Sequence, residues 1–233
     1  MGHTNEIAIL MAAGLGSRMR PLTEHTPKPL IRVHDKPMIE TVIDGLQNRK
    51  VKEIYVVTGY LGEQFQYLCQ KYENVHLIKN EDYLVKNNIS SIYAARNVLG
   101  TADVFICESD LYVADDSIFQ KKLVTSCYYG RMQKGFSDDW VFDLEDGRIS
   151  RVGKGGTDAY NMVGIAFFRK REAQILKAEI MKVYAQEEAS NLFWDDVVNQ
   201  NLNKLNLIVE PVEPGQLVEI DTVEELERVN EGR

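Results

Sequence analysis

The residues best suited to chemistry come early in the chain. A short apolar run, residues 7–13, ends in Gly14-Leu-Gly16-Ser17-Arg18, and Lys28 follows between Pro27 and Pro29. Glycines carry no side chain, so backbone N–H groups can close on an anion. Arg18 adds a fork of donors matched to phosphate. Lys28, on a stiff proline-flanked segment, would reach the same oxygens. The loop is not a Walker A motif, in which glycine, lysine and Ser/Thr open a helix directly. It is not a dinucleotide fingerprint either, because Gly14-x-Gly16 lacks a third glycine three residues on. For a Gly-x-Gly pair alone, a tight turn without a ligand explains the pattern equally well.

Joining one phosphate to another brings anions together, and a divalent cation is the usual remedy. Mg²⁺ takes one or two carboxylates plus phosphate oxygens. Asp110 follows the strand-like segment 103–107, and Asp221 follows 217–220. Open α/β sheets bind ligands at such carboxyl ends of strands. Plainer roles exist: a turn or cap for Asp110, the cap of the last helix for Asp221. Glu108 competes with Asp110 as a ligand. The four histidines are scattered and suggest no zinc site.

These groups need a frame to hold them. Strand-like segments 7–13, 53–58, 75–78 and 103–107 alternate with helical ones at 37–50, 61–72 and 90–99. That alternation predicts an α/β, doubly wound, mostly parallel Rossmann-like sheet. The pattern then changes. Strands are expected at 126–130, 140–145, 148–152 and 161–169, with Asp146-Gly147 as a hairpin turn. Helices follow at 171–186 and 191–202, strands at 205–212 and 217–220, and a terminal helix at 222–230. Thr222 and Glu225 stand at capping-box spacing there. One domain over 1–233 results: residues 7–125 as a nucleotide-binding half, and 126–233 as a small β/α acceptor-binding half carrying the second metal aspartate.

Composition narrows the partners. Apolar residues make up 44% of 233, enough for a continuous core. The net charge of -8 argues against a nucleic-acid binder, which needs a basic face. No apolar run is long enough to insert in a membrane. Three widely spaced cysteines form neither a metal motif nor a disulfide framework, which fits a cytoplasmic setting. No leader is expected at the N-terminus. A homodimer is a possible assembly.

The string Leu10-x-Ala12-Ala13-Gly14-x-Gly16-Ser17-Arg18-x-x-Pro21-x-Thr23, followed by Thr26-Pro-Lys28-Pro, resembles the signature of the nucleoside-triphosphate transferase family. That family includes sugar-1-phosphate nucleotidyltransferases and cytidylyltransferases for small alcohol phosphates. The resemblance implies transfer of a nucleotidyl group to a phosphate monoester with release of pyrophosphate. It also implies catalytic roles for Arg18, Lys28 and Asp110, and Mg²⁺ on Asp110 and Asp221. Residues 10–14 and 16–17, with Gly59 and Tyr60, would flank the nucleotide. Asn87-Asn88-x-x-Ser91 resembles a stretch of bacterial CTP:phosphocholine cytidylyltransferases, so Asn88 and Ser91 are expected at the cytosine of CTP.

Both tryptophans abut aspartates, in Asp138-Asp139-Trp140 and Trp194-Asp195-Asp196. An aromatic face with a carboxylate is the chemistry expected around a quaternary ammonium. The plain alternative makes both rings core or sheet packing. The two segments resemble acceptor segments of the phosphocholine enzymes, so Asp139, Trp140, Trp194 and Asp195 are expected to hold phosphocholine. Where this chain has Asp138-Asp139-Trp140 those enzymes have Asn-Glu-Trp. The extra charge suits a primary ammonium, as in phosphoethanolamine or 2-aminoethylphosphonate. A sugar 1-phosphate is a further alternative, and a non-catalytic nucleotide-binding regulatory module is the rival from another class.

Overall fold

Strand β1 (Glu6–Ala12) is buried along almost its whole length, as a strand covered on both faces must be. Residues 5–232 are described in the computed structural model of the chain. After β1 come a small ribbon of β2 (Arg32–Val33) and β3 (Lys36–Pro37), then helix α1 (Met38–Asn48) and β4 (Glu53–Thr58). Helix α2 (Gln66–Lys71), β5 (Val75–Lys79), α3 (Ile89–Ala94), β6 (Asp103–Glu108) and β7 (Leu111–Val113) complete the first half. The second half holds β8 (Ser126–Glu145), β9 (Arg148–Phe168), α4 (Lys170–Tyr184), α5 (Trp194–Gln200), β10 (Leu207–Pro211), β11 (Leu217–Glu219) and α6 (Val223–Asn230).

The main sheet has seven strands in the order β10-β8-β9-β6-β1-β4-β5. Strand β1 pairs in parallel with β4 on one side and β6 on the other. The chain therefore winds outward in two directions from β1, and a crevice opens where the carboxyl ends of β1 and β6 part. Such a switch point is where doubly wound sheets bind ligands. The glycine loop follows β1 here, and Ser109 and Asp110 follow β6.

Each face of the sheet is covered. Val42, Ile43 and Leu46 of α1 pack with Phe105 and Phe119 on one side. Ile89 and Ile92 of α3, Leu176 and Ile180 of α4, and Trp194 and Val198 of α5 pack on the other. Each fully buried aliphatic side chain contributes roughly 1.5–3 kcal/mol against its exposed state. Among the described residues, no helix is long and apolar enough to cross a membrane.

The second half departs from its expected outline. The four strands expected between 126 and 169 are two long ones, β8 and β9, joined at a turn through Asp146 and Gly147. They are bent by repeated register shifts. Asn161 and Tyr160 pair on one side with Arg131 and Met132, and on the other with Val141 and Phe142. The hairpin thus doubles back so that these residues of β9 have a β8 partner on each side. Its middle residues are largely exposed and rich in glycine, so their apolar alternation vanishes while the ladder persists. The helix expected at 61–72 begins in a 3₁₀ turn, and the one expected at 191–202 starts only at Trp194, which leaves α2 and α5 shorter.

Candidate active site

Gly14 lines both halves of the crevice, and a Cβ built there would meet nothing within 4 Å. Backbone at this point is open to a ligand. Gly16 has the opposite reason for its identity. Its φ is +62°, and a Cβ would lie 2.8 Å from Lys28 Cβ. The left-handed turn and the close approach of Lys28 both require glycine. The chain from the loop to Lys28 thus packs against itself, with Thr23 Oγ1 donating to the Gly16 carbonyl. Lys28 opens a 3₁₀ turn with Pro29 next to it, and its side chain is only 9% exposed.

Lys28 Nζ stands 2.7 Å from Asp110 Oδ2 and 2.6 Å from Asp221 Oδ1. Arg18 Nη2 lies 2.7 Å from the same Asp221 oxygen while remaining 70% exposed. The aspartates meet because β7 and β11 form a short antiparallel ladder with Leu111 opposite Glu219. The Ile220 N–H also donates to the Asp110 carbonyl. Asp221 is not the helix cap. Thr222 Oγ1 accepts from the Glu225 N–H, and the Glu225 carboxylate accepts from the Asp221 and Thr222 N–H groups. The cap leaves the Asp221 carboxylate free for the crevice.

Glu219 joins the pair. One oxygen each of Asp110, Glu219 and Asp221 lies within 4.8 Å of the others. Asp110 Oδ1 is buried and has no hydrogen-bond partner. Three hard oxygen donors, one of them unsatisfied, fit a magnesium ion. Burial works to lower the Lys28 pKa, but the Asp110 and Asp221 charges win and raise it. Enclosure in the crevice raises the Glu219 carboxyl, and the nearby Asp110 and Asp221 charges add to it. Glu108 is likewise pushed up by burial and by Asp110 and Glu219. A cation in this cluster would relieve all of these repulsions.

The crevice has two chambers. One, of about 270 Å³, is lined by Ala12, Gly14, Gly16, Ser17, Arg18, Lys28, Asp110 and Asp221. The other, of about 320 Å³, is lined by Ala13, Gly14, Asn88 and Ser91 among others, and shares Arg18 and Asp110. The expected phosphate and base residues therefore surround one continuous cleft. Asn88 does not cap α3 with its side chain. Its Oδ1 accepts from the Trp194 N–H at 3.0 Å, tying the two halves of the chain together.

Several expected residues take other places. Leu10 is fully buried in the core and supports the loop from beneath. Gly59 sits under Tyr83, and Tyr60 braces the loop through its N–H to the Ala13 carbonyl and its hydroxyl to the Thr23 carbonyl. Neither lines the two chambers. Trp194 is 3% exposed, stacked on Tyr128 with centroids 5.6 Å apart. Asp195 is equally buried and accepts a 2.9 Å bond from the Tyr128 hydroxyl. Trp140 is edge-on to Phe193. Trp194 is thus sealed in the core, whereas Trp140 is only half-buried beside Phe193. Asp139, by contrast, lines a smaller cavity that Glu219 also borders.

Residues 8–126 match the MobA-like NTP transferase domain. The chain belongs to that family. This NTP transferase is 52% identical to a 2-aminoethylphosphonate cytidylyltransferase of Lancefieldella rimae, over 97% of the present chain and 92% of the relative. It is 33% identical to a choline-phosphate cytidylyltransferase of Streptococcus pneumoniae over 96% of each. A solved structure of the CTP:phosphocholine cytidylyltransferase of Streptococcus pneumoniae superposes with a TM-score of 0.89 at 31% identity, covering 97% of this chain and 98% of that one. The sheet and its helices are those of that nucleotidyltransferase fold.

Six lining residues of this NTP transferase had no role assigned from sequence: Asn80, Tyr83, Lys86, Ser90, Ser109 and Glu219. Glu219 carried a usable signal. It stands two residues before Asp221, so an extended backbone puts both on one face. Asn80, Tyr83 and Lys86 lie in an irregular segment whose course periodicity does not reveal. Ser109 Oγ donates to the Met11 carbonyl and pins β6 to β1.

Proposed function

We propose that this chain transfers CMP from CTP to 2-aminoethylphosphonate, giving the CMP-phosphonate anhydride and pyrophosphate. The observation that carries the reading is the convergence of Lys28, Arg18, Asp110, Glu219 and Asp221 at the switch point, beside a glycine loop. A pure nucleotide-binding module has no need of three carboxylates there.

In the reaction, an anionic phosphonate oxygen attacks the α-phosphorus of CTP. A P–O–P bond forms, the bond from that phosphorus to the β-phosphate bridging oxygen breaks, and its electron pair leaves with pyrophosphate. The nucleophile already carries its charge near neutral pH, so no general base is required. Asp110, Asp221 and Glu219 would hold Mg²⁺, which supplies charge neutralisation to the phosphate oxygens. Lys28 and Arg18 would turn from these carboxylates toward the triphosphate and stabilise charge developing on the leaving group. The loop N–H groups near Gly14 and Gly16 orient the phosphates for in-line attack. Asn88 and Ser91 line the chamber suited to the cytosine, whose edge asks for both donors and acceptors.

The acceptor is the finer question. An open aromatic box would favour phosphocholine, and the buried Trp194 offers none. The polar cavity at Asp139 and the 52% identity with the aminoethylphosphonate relative favour a primary amine. Phosphocholine is the second reading, supported by the 33% relative. Pyrophosphate release with CTP, Mg²⁺ and each acceptor tests the assignment. The highest kcat/KM is expected with 2-aminoethylphosphonate, and silence with every aminoalkyl acceptor rejects it.

A further inference from the structure

Four buried side-chain atoms among the described residues have no hydrogen-bond partner: Asp110 Oδ1, Arg131 Nε, Asn161 Oδ1 and Trp194 Nε1. Two of them belong to one site. Arg131 and Asn161 are directly opposite on β8 and β9, and both line the cavity of about 160 Å³ bordered by Asp139 and Glu219. Glu219 also borders the nucleotide cleft, so the cavity opens beside the metal carboxylates.

Neither side chain is loose. Arg131 Nη2 donates to the Leu217 carbonyl at 2.6 Å, and Asn161 Nδ2 donates to Ser137 Oγ at 2.8 Å. Each is anchored through one group and leaves the other unmet. Buried polar atoms are normally paired, and an unpaired donor beside an unpaired acceptor calls for a ligand that supplies both complements. The ligand must bring an anionic oxygen for Arg131 Nε and an N–H for Asn161 Oδ1. A quaternary ammonium has no N–H to give. Met162, Val163 and Leu217 supply the apolar wall for a short carbon linker.

We infer that Arg131, Asn161 and Asp139 form the subsite that selects a short zwitterion with a primary ammonium and rejects its trimethylated form. Arg131 Nε takes a phosphonate oxygen, Asn161 Oδ1 takes an ammonium N–H, and the Asp139 carboxylate balances the charge. This deepens the proposed function and rests on it. It assigns the choice of acceptor to Asn161 rather than to either tryptophan.

The test compares 2-aminoethylphosphonate with ethylphosphonate, which lacks only the amine, and with the N-trimethyl analogue. Wild type prefers the primary amine over both. Asn161→Leu should cut the ratio of kcat/KM for 2-aminoethylphosphonate over ethylphosphonate by about 100-fold, because a hydrogen bond from a charged donor disappears. Asn161→Asp supplies full charge where the amide had none. Because the acceptor is kept and gains charge, it should shift the ratio of primary amine to trimethyl analogue further toward the primary amine. Ratios equal to wild type in both variants overturn the inference while leaving cytidylyl transfer intact. No transfer by wild type to any aminoalkyl acceptor overturns the inference and the proposed function together.

Discussion

Lys28 and Asp221, 193 residues apart in sequence, are joined by a 2.6 Å hydrogen bond inside the cleft. The bond spans the whole architecture: Lys28 follows the first strand's loop, and Asp221 follows the last strand. The cleft is therefore assembled only when both halves of the chain are in place.

Lys28 is placed to stabilise the transition state, so losing its charge should act mainly on kcat. Lys28→Met keeps the stem that packs against Gly16 while removing the ammonium. The expected fall in kcat is about 10²–10³-fold. Steady-state kinetics read the loss, and circular dichroism checks that the fold persists. Full activity in the variant would remove Lys28 from the chemistry.

Asp221 should couple activity to metal. Chelation with EDTA should abolish turnover, and added Mg²⁺ should restore it. In Asp221→Asn the Mg²⁺ concentration for half-maximal rate should rise about tenfold or more, since one of three carboxylates no longer carries charge. A titration identical to wild type would place the ion elsewhere.

Trp194 should behave as a core residue. Its ring stacks on Tyr128 and meets Phe168 edge-on, centroids 6.0 Å apart. Trp194→Ala is expected to destabilise by about 3–5 kcal/mol. The milder Trp194→Phe should leave the acceptor KM within a few-fold. A large rise in KM for Trp194→Phe, with stability preserved, would return the ring to the acceptor site.

Asp195 gives a pH signature. Burial pushes its carboxyl up to about 7, with the Tyr128 hydroxyl bond opposing only part of that. A carboxyl raised in the folded state is neutral there while the unfolded chain has already ionised. Stability therefore falls as pH rises from about 4, the ordinary aspartate value, and levels off above about 7. Asp195→Asn keeps an acceptor for Tyr128 and removes the charge. Its gain in stability over wild type should grow across that window and then stay constant. Denaturant unfolding at several pH values checks this, and a pH-independent difference would contradict it.

The first half of the fold was legible because its strands are short apolar runs, two of them closed by Gly14 and Gly59, and helix α1 is amphipathic. Lys28, Asp110 and Asp221 were legible for a related reason: each follows a strand end or a stiff turn, where a doubly wound sheet places ligands. Residues 131–139 and 153–160 were not, because a twisted, exposed ladder leaves no period for the eye to follow. Trp194 illustrates a different limit. An aromatic beside aspartates reads as a binding group, yet helix α5 turns the ring inward and buries Asp195 with it. Spacing along a helix says which residues share a face, and only tertiary packing says what that face meets. Arg131 and Asn161 were invisible because their pairing across β8 and β9 is set by the register shifts of the hairpin.

Competition between acceptors tests the central claim most directly. Equal concentrations of 2-aminoethylphosphonate and phosphocholine are supplied with limiting CTP and Mg²⁺, and the two CMP adducts are separated by mass. Their ratio equals the ratio of kcat/KM. The account predicts an excess of the CMP-aminoethylphosphonate product of about 100-fold. A mixture dominated by CDP-choline would contradict it.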